Sequence, residues 1–221
     1  MQTAEKIPLV QYTRGEELLN TVTHAAGLVL SGMIFCFCLR PAVQAGDALR
    51  IVCAALYLLG TTAMFLTSAL YHGIRKERLK RVLRLLDHCM IFFAIAGTAT
   101  GCVPAVYDTV GIVPCVIMIV AAWAGAVTGL VLTLWDFEKT QAVRIAIYIV
   151  TAFVCAVSGG GAYKHLPKTA FYALLLGSTL LLIGAVLCGL GKKHRYMHAV
   201  FHLFIDAGLV IYYLGISNFC Y

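Results

Sequence analysis

The chain has 221 residues, 61% of them hydrophobic and only 12% charged, with a formal net charge of +7 and a mean hydropathy of +0.89. A soluble domain is about half apolar and about one quarter charged, so the composition excludes one and points to an integral membrane protein. Each membrane span uses roughly 20 apolar residues, and seven of them leave only short connections.

The first 20 residues carry Glu5, Lys6, Arg14, Glu16 and Glu17 without an early apolar core, unlike a cleavable secretory signal. Residues 1–19 read as an amphiphilic N-terminal segment and residues 20–221 as a membrane domain. Apolar runs place spans near 20–39, 51–72, 84–103, 111–135, 142–159, 169–190 and 195–218. The breaks are Arg40-Pro41, the basic run from Arg75 to Arg78, Pro104 with Asp108, Asp136 to Lys139, Gly159 to Gly161, and Lys192-Lys193. The expected fold is all-α, seven transmembrane helices.

Orientation follows from the basic residues. Only Arg40, Arg50, Lys164 and Lys168 fall in the connections after the odd spans; the rest of the 17 Lys and Arg lie in the N-terminal segment and after the second, fourth and sixth spans. The positive-inside bias therefore puts the N-terminus in the cytoplasm and the C-terminus outside. The excess charge suits anionic inner-leaflet lipid, and no motif or soluble domain points to a nucleic-acid partner. Small residues repeat at Gly97/Gly101 and Gly125/Gly129, a spacing that lets helices approach closely in lipid.

Ionisable side chains inside a membrane are costly and mark functional sites. His198 and His202 lie four apart in the last span, and Ser68 and His72 share that spacing at the end of the second; residues so spaced share one helix face. The orientation, derived without any histidine, puts His72, His198, His202 and Asp87 at one depth near the inner face. Three imidazoles with an open fourth position suit hydrolytic Zn2+, which lowers the pKa of bound water to about 7. Asp87 is placed to orient or deprotonate that water, and Ser68 to bond a substrate carbonyl oxygen.

Glu17, Asn20 and His24 form one stripe at the start of the first span, either as a second shell orienting the ligand imidazoles or as an interfacial polar cap. His88 is offset by about 100° from Asp87 and faces elsewhere; Arg84, one turn before Asp87, is placed to pair with it. Asp206 continues the His198/His202 face one turn deeper, lining a polar cavity or joining the site. Cys36, Cys38, Cys53, Cys89, Cys102, Cys115, Cys155 and Cys188 lie in apolar runs without CxxC pairing, so they read as free, buried thiols rather than disulfides or zinc ligands.

These residues resemble the hemolysin III family, bacterial relatives of the progestin and adiponectin receptor family. The resemblance rests on Glu16-Glu17-Leu18-Leu19-Asn20 with Thr23-His24 and Gly27, then on Ser68-Ala69-Leu70-Tyr71-His72. It continues with Leu86-Asp87-His88 leading to Ala96-Gly97-Thr98, and with His198-Ala199-Val200-Phe201-His202. It implies seven helices with an inside N-terminus in the bacterial cytoplasmic membrane. It also implies zinc on His72, His198 and His202, with Asp87 and Ser68 beside it, and places the chain near membrane-embedded hydrolases such as alkaline ceramidases. The family name implies cytolysis, relatives are linked to membrane-lipid homeostasis, and Asp206 departs from the apolar residue expected there.

Three functions fit. The first is a zinc-dependent hydrolase of a membrane-lipid amide or ester. The second is a pore-forming or cytolytic protein with structural zinc, and the third a lipid-state sensor without catalysis. Residues 196–221 contain no lysine for a retinal Schiff base.

Overall fold

The computed structural model describes residues 6–190 and 194–221, leaving Lys192-Lys193 and part of the N-terminal segment outside the described residues. Among these residues there is no strand. The helices are α1 (Arg14–Ile34), α2 (Arg40–Ala45), α3 (Ala48–Gly73), α4 (Glu77–Gly101), α5 (Val103–Val110), α6 (Ile112–Trp135), α7 (Gln141–Ser158), α8 (Lys168–Leu190) and α9 (Met197–Cys220). Joined across short irregularities, they make seven helical segments long and apolar enough to cross a membrane.

Helix α1 starts six residues before the expected first span, because Thr13 caps it. The Thr13 hydroxyl accepts from Glu16 N at 3.3 Å and Glu16 Oε2 accepts from Thr13 N at 2.8 Å, a reciprocal box that satisfies two otherwise orphaned donors. Arg40-Pro41 does not end the segment. A π turn over Phe35–Leu39 lets Arg40 N donate to Phe35 O, and this wider winding relieves the ring that would press on the carbonyl four residues back. Pro104 likewise opens α5 within its first two residues, where its missing N–H costs nothing. Beyond α7 the chain continues as a 3-10 turn, Gly159–Lys164.

Helix α3 packs on α4 and α1, α1 also on α9, α9 on α8, α4 on α6, and α6 on α7. In lipid such contacts depend on close van der Waals fit more than on expelled water. A Cβ at Gly97 would sit 2.6 Å from Leu56 O, and one at Gly60 would sit 2.4 Å from Phe93 O. The α3–α4 seam is therefore a backbone-to-backbone approach that only glycine permits. The expected small-residue repeat at Gly125/Gly129 faces Thr151 and the Phe92 ring.

The four helices that bear the candidate residues meet here: α3 lies between α1 and α4, and α1 reaches across to α9. The described cysteines are free thiols, and Cys36 is exposed rather than buried; the Cys188 side chain lies outside the described residues.

Candidate metal centre

His72 ends the buried face of α3, while His198 and His202 occupy the first two turns of α9. Their ligand atoms all lie within 4.8 Å of one another. A tetrahedral site with Zn–N of about 2.0–2.1 Å has an edge of about 3.4 Å, so binding an ion would draw the rings inward. The ring centroids are 5.1 Å apart for His72 and His198, 5.3 Å for His72 and His202, and 4.5 Å for His198 and His202.

Two of the three rings are oriented by groups from α1. His72 Nδ1 is 2.8 Å from Glu17 Oε2; a carboxylate only accepts, so Nδ1–H donates and the Nε2 lone pair faces the cluster. That Nε2 is buried and has no hydrogen-bond partner, a costly state for a polar atom unless a ligand completes it. The donor set therefore fits a cation that prefers nitrogen.

Glu17 is held in turn by Lys80 Nζ at 2.8 Å. The same ammonium donates to Tyr71 O at 2.9 Å and Ile74 O at 3.2 Å, so its three N–H groups are all used. His202 Nδ1 lies 3.3 Å from Asn20 O and 3.2 Å from Thr23 Oγ1. The carbonyl can only accept, which again puts the proton on Nδ1.

The stripe on α1 thus splits by role. Glu17 and Asn20 contact ligand imidazoles by hydrogen bonding, and Asn20 Nδ2 also lies 3.4 Å from His72 Nδ1. His24 packs its ring face on His202 instead, with centroids 3.6 Å apart and planes at 27°. Both His24 nitrogens are buried without partners.

Asp87, on α4, is not among the groups that converge within 4.8 Å; its electrostatic neighbours are Ser68 and Arg84. The buried Ser68 hydroxyl has the Asp87 carboxyl as its hydrogen-bonding neighbour. Arg84 donates to Pro8 O and lies over the Phe137 ring, 5.2 Å from its centroid. The His88 ring packs edge to face with Phe137 at 4.7 Å and is not among the groups that converge within 4.8 Å. Asp206 lines an apolar cavity of about 480 Å³ between α1 and α9, together with Gly27, Phe65 and Val210. Its Oδ1 is buried without a partner, and it is not part of the histidine group.

Five contributors carry weak sequence signals. Glu16 Oε1 accepts from Tyr196 N at 2.9 Å, tying the start of α1 to the start of α9; the Thr-x-x-Glu spacing of a capping box was the available clue. Tyr196 takes φ 61°, a left-handed conformation uncommon without glycine, and its hydroxyl would lie 3.1 Å from a Cβ at Gly15. Lys80 was hidden in a basic run, Thr23 looked like an ordinary helix residue, and Tyr12 precedes every apolar run.

The family model described as Haemolysin-III related matches residues 12–213. The chain is similar to the Hemolysin-3 homolog of Bacillus subtilis (strain 168), 26% identical over 210 residues that cover 95% of this chain and 96% of that one. It is similar also to Hemolysin-3 of Bacillus cereus, 26% identical over 206 residues, 93% of this chain and 92% of that one.

Proposed function

Since the chain belongs to the haemolysin-III-related family and is a multi-pass protein of the bacterial cell membrane, we propose that it is a zinc-dependent hydrolase of a membrane-lipid amide or ester. The observation that carries this reading is the buried, unpartnered His72 Nε2. It converges with His198 and His202 while Glu17 holds the other side of the same ring. A purely structural histidine would have both nitrogens satisfied or solvated.

The excess of Lys and Arg around the segments' histidine-bearing ends supports a site at the inner leaflet, where the substrates would be membrane lipids already at that depth. Zinc bound there would supply a Lewis acid and a water acidified toward neutral pH. In this reading Asp87 would take the proton of the attacking water and return it to the leaving amine or alcohol, while the Ser68 hydroxyl, beside Asp87, would turn to donate to the substrate carbonyl oxygen as charge develops on it. His72, His198 and His202 hold the cation, and Glu17 keeps His72 in the tautomer that can do so.

The test is metal analysis of purified protein together with turnover of bilayer lipids. His198→Ala and His202→Ala are expected to lose both; turnover that persists in metal-free protein would overturn the reading. A second reading draws on the name of the Bacillus cereus relative, Hemolysin-3: a membrane-perturbing protein whose zinc only ties helices together. Vesicle leakage unaffected by Ser68→Ala and Asp87→Ala, without lipid turnover, would favour it.

A further inference from the structure

The chain ahead of α1 crosses the mouth of the histidine cluster. Residues 8–13 have no regular secondary structure, yet both ends of this strap are fastened. At one end Ile7 is completely buried, Arg81 donates to Ile7 O and Arg84 donates to Pro8 O. At the other, Thr13 is locked to Glu16 by the capping box. Two guanidiniums on successive turns of α4 and the cap of α1 therefore determine where Tyr12 lies.

The Tyr12 ring stacks on His198, with centroids 5.4 Å apart and planes at 26°, and tilts against His72 at 5.6 Å and 59°. With 5.1 Å between His72 and His198, the three rings make a nearly equilateral triangle. His202 lies one turn deeper along α9, so the tyrosine covers the shallow side of the cluster. Aromatic rings in this separation range attract one another in offset or tilted arrangements. Glu17 orients His72, and Asn20 with Thr23 orients His202; the Tyr12 stack does the corresponding work for His198.

We infer that Tyr12 is a positioning residue, whose ring closes the shallow mouth of the histidine cluster and holds the His198 imidazole plane, with Arg81 and Arg84 latching the strap that carries it. The inference rests on the metal-centre reading for its purpose but not for its geometry, so it can be tested without metal.

Metal-free protein in detergent is treated with diethyl pyrocarbonate, and carbethoxylation of His198 is compared with that of the exposed His165 by peptide mass spectrometry. Tyr12→Ala is expected to raise the His198 rate relative to His165 at least fivefold, while Tyr12→Phe, which keeps the ring, stays within twofold of the unmodified chain. Arg81→Gln with Arg84→Gln, which frees the strap and keeps the tyrosine, should also raise it several-fold, and serves if Tyr12→Ala does not fold. In cobalt-loaded protein, chelator-driven metal loss should be at least tenfold faster in Tyr12→Ala than in Tyr12→Phe. Equal His198 labelling in the unmodified chain and in Tyr12→Ala, or in Arg81→Gln with Arg84→Gln where Tyr12→Ala does not fold, would overturn the inference. Protein that takes up no cobalt but still shows the labelling difference would overturn the metal reading and leave the closure standing.

Discussion

The two ends of the bundle handle polar groups in opposite ways. At the end away from the histidines, Arg50 is fully engaged: its Nη1 meets Asp47 Oδ2 at 2.6 Å, Nη2 meets Asp108, and Nε donates to Cys220 O at 3.1 Å. One half-exposed guanidinium thereby ties the start of α3, α5 and the end of α9 together. At the histidine end the groups are more deeply buried and less completely paired. His72 Nε2 and both nitrogens of His24 have no partner, although burying an unpartnered polar group costs about 1–3 kcal/mol. The contrast sets the Arg50 clamp apart from a histidine group that could hold a metal ion.

The largest expected effect would break the comparison at its richer end. Replacing His72, His198 or His202 with alanine should reduce bound metal from about one ion per chain to below about one tenth, read by elemental analysis of purified protein. Glu17→Gln comes next. It keeps the side chain's shape but weakens the acceptor on His72 Nδ1, and second-shell changes of this kind cost about 10–100-fold in metal affinity; competition with a chelator of known affinity measures it.

At the clamp the effects are smaller and leave the metal alone. Arg50→Ala should lower Tm by about 2–4 °C with unchanged metal content, and a loss of metal there would show that the ends are coupled. The smallest effect is on pH dependence. The Asp47 carboxyl is held below its usual range first by the Arg50 backbone N–H and then by the Arg50 guanidinium. A lowered carboxylate pKa contributes stability above its ordinary value, and that contribution disappears as pH falls through the folded value. The unmodified chain should therefore lose slightly more stability than Arg50→Ala between about pH 4 and pH 2, measured as Tm against pH.

Much of this was legible in the residues alone. Seven apolar stretches of span length announce seven helices, because an uninterrupted intrahelical hydrogen-bond ladder is what lipid demands of a crossing segment. The His198/His202 spacing and the shared depth of His72 follow from helix periodicity and the parity of crossings, with no tertiary information. Helix ends were less legible. Pro41 reads as a stop, but a π turn over Phe35–Leu39 carries the helix past it, and Thr13 starts α1 earlier than hydropathy indicates because capping is a matter of hydrogen bonds, not of apolar content.

What the sequence determined by itself is the number of crossings and the depth at which the imidazoles lie, since both depend on local periodicity and on burial in hydrocarbon. Only the tertiary structure decided which groups hold each ring. That depends on Glu17 reaching His72, on Asn20 and Thr23 reaching His202, and on the Tyr12 ring reaching His198. These contacts join residues from 55 to more than 180 positions apart in the chain. No local pattern encodes a meeting at that range; it arises when helices pack closely enough, glycine against backbone, to bring the start of α1 against the ends of its neighbours.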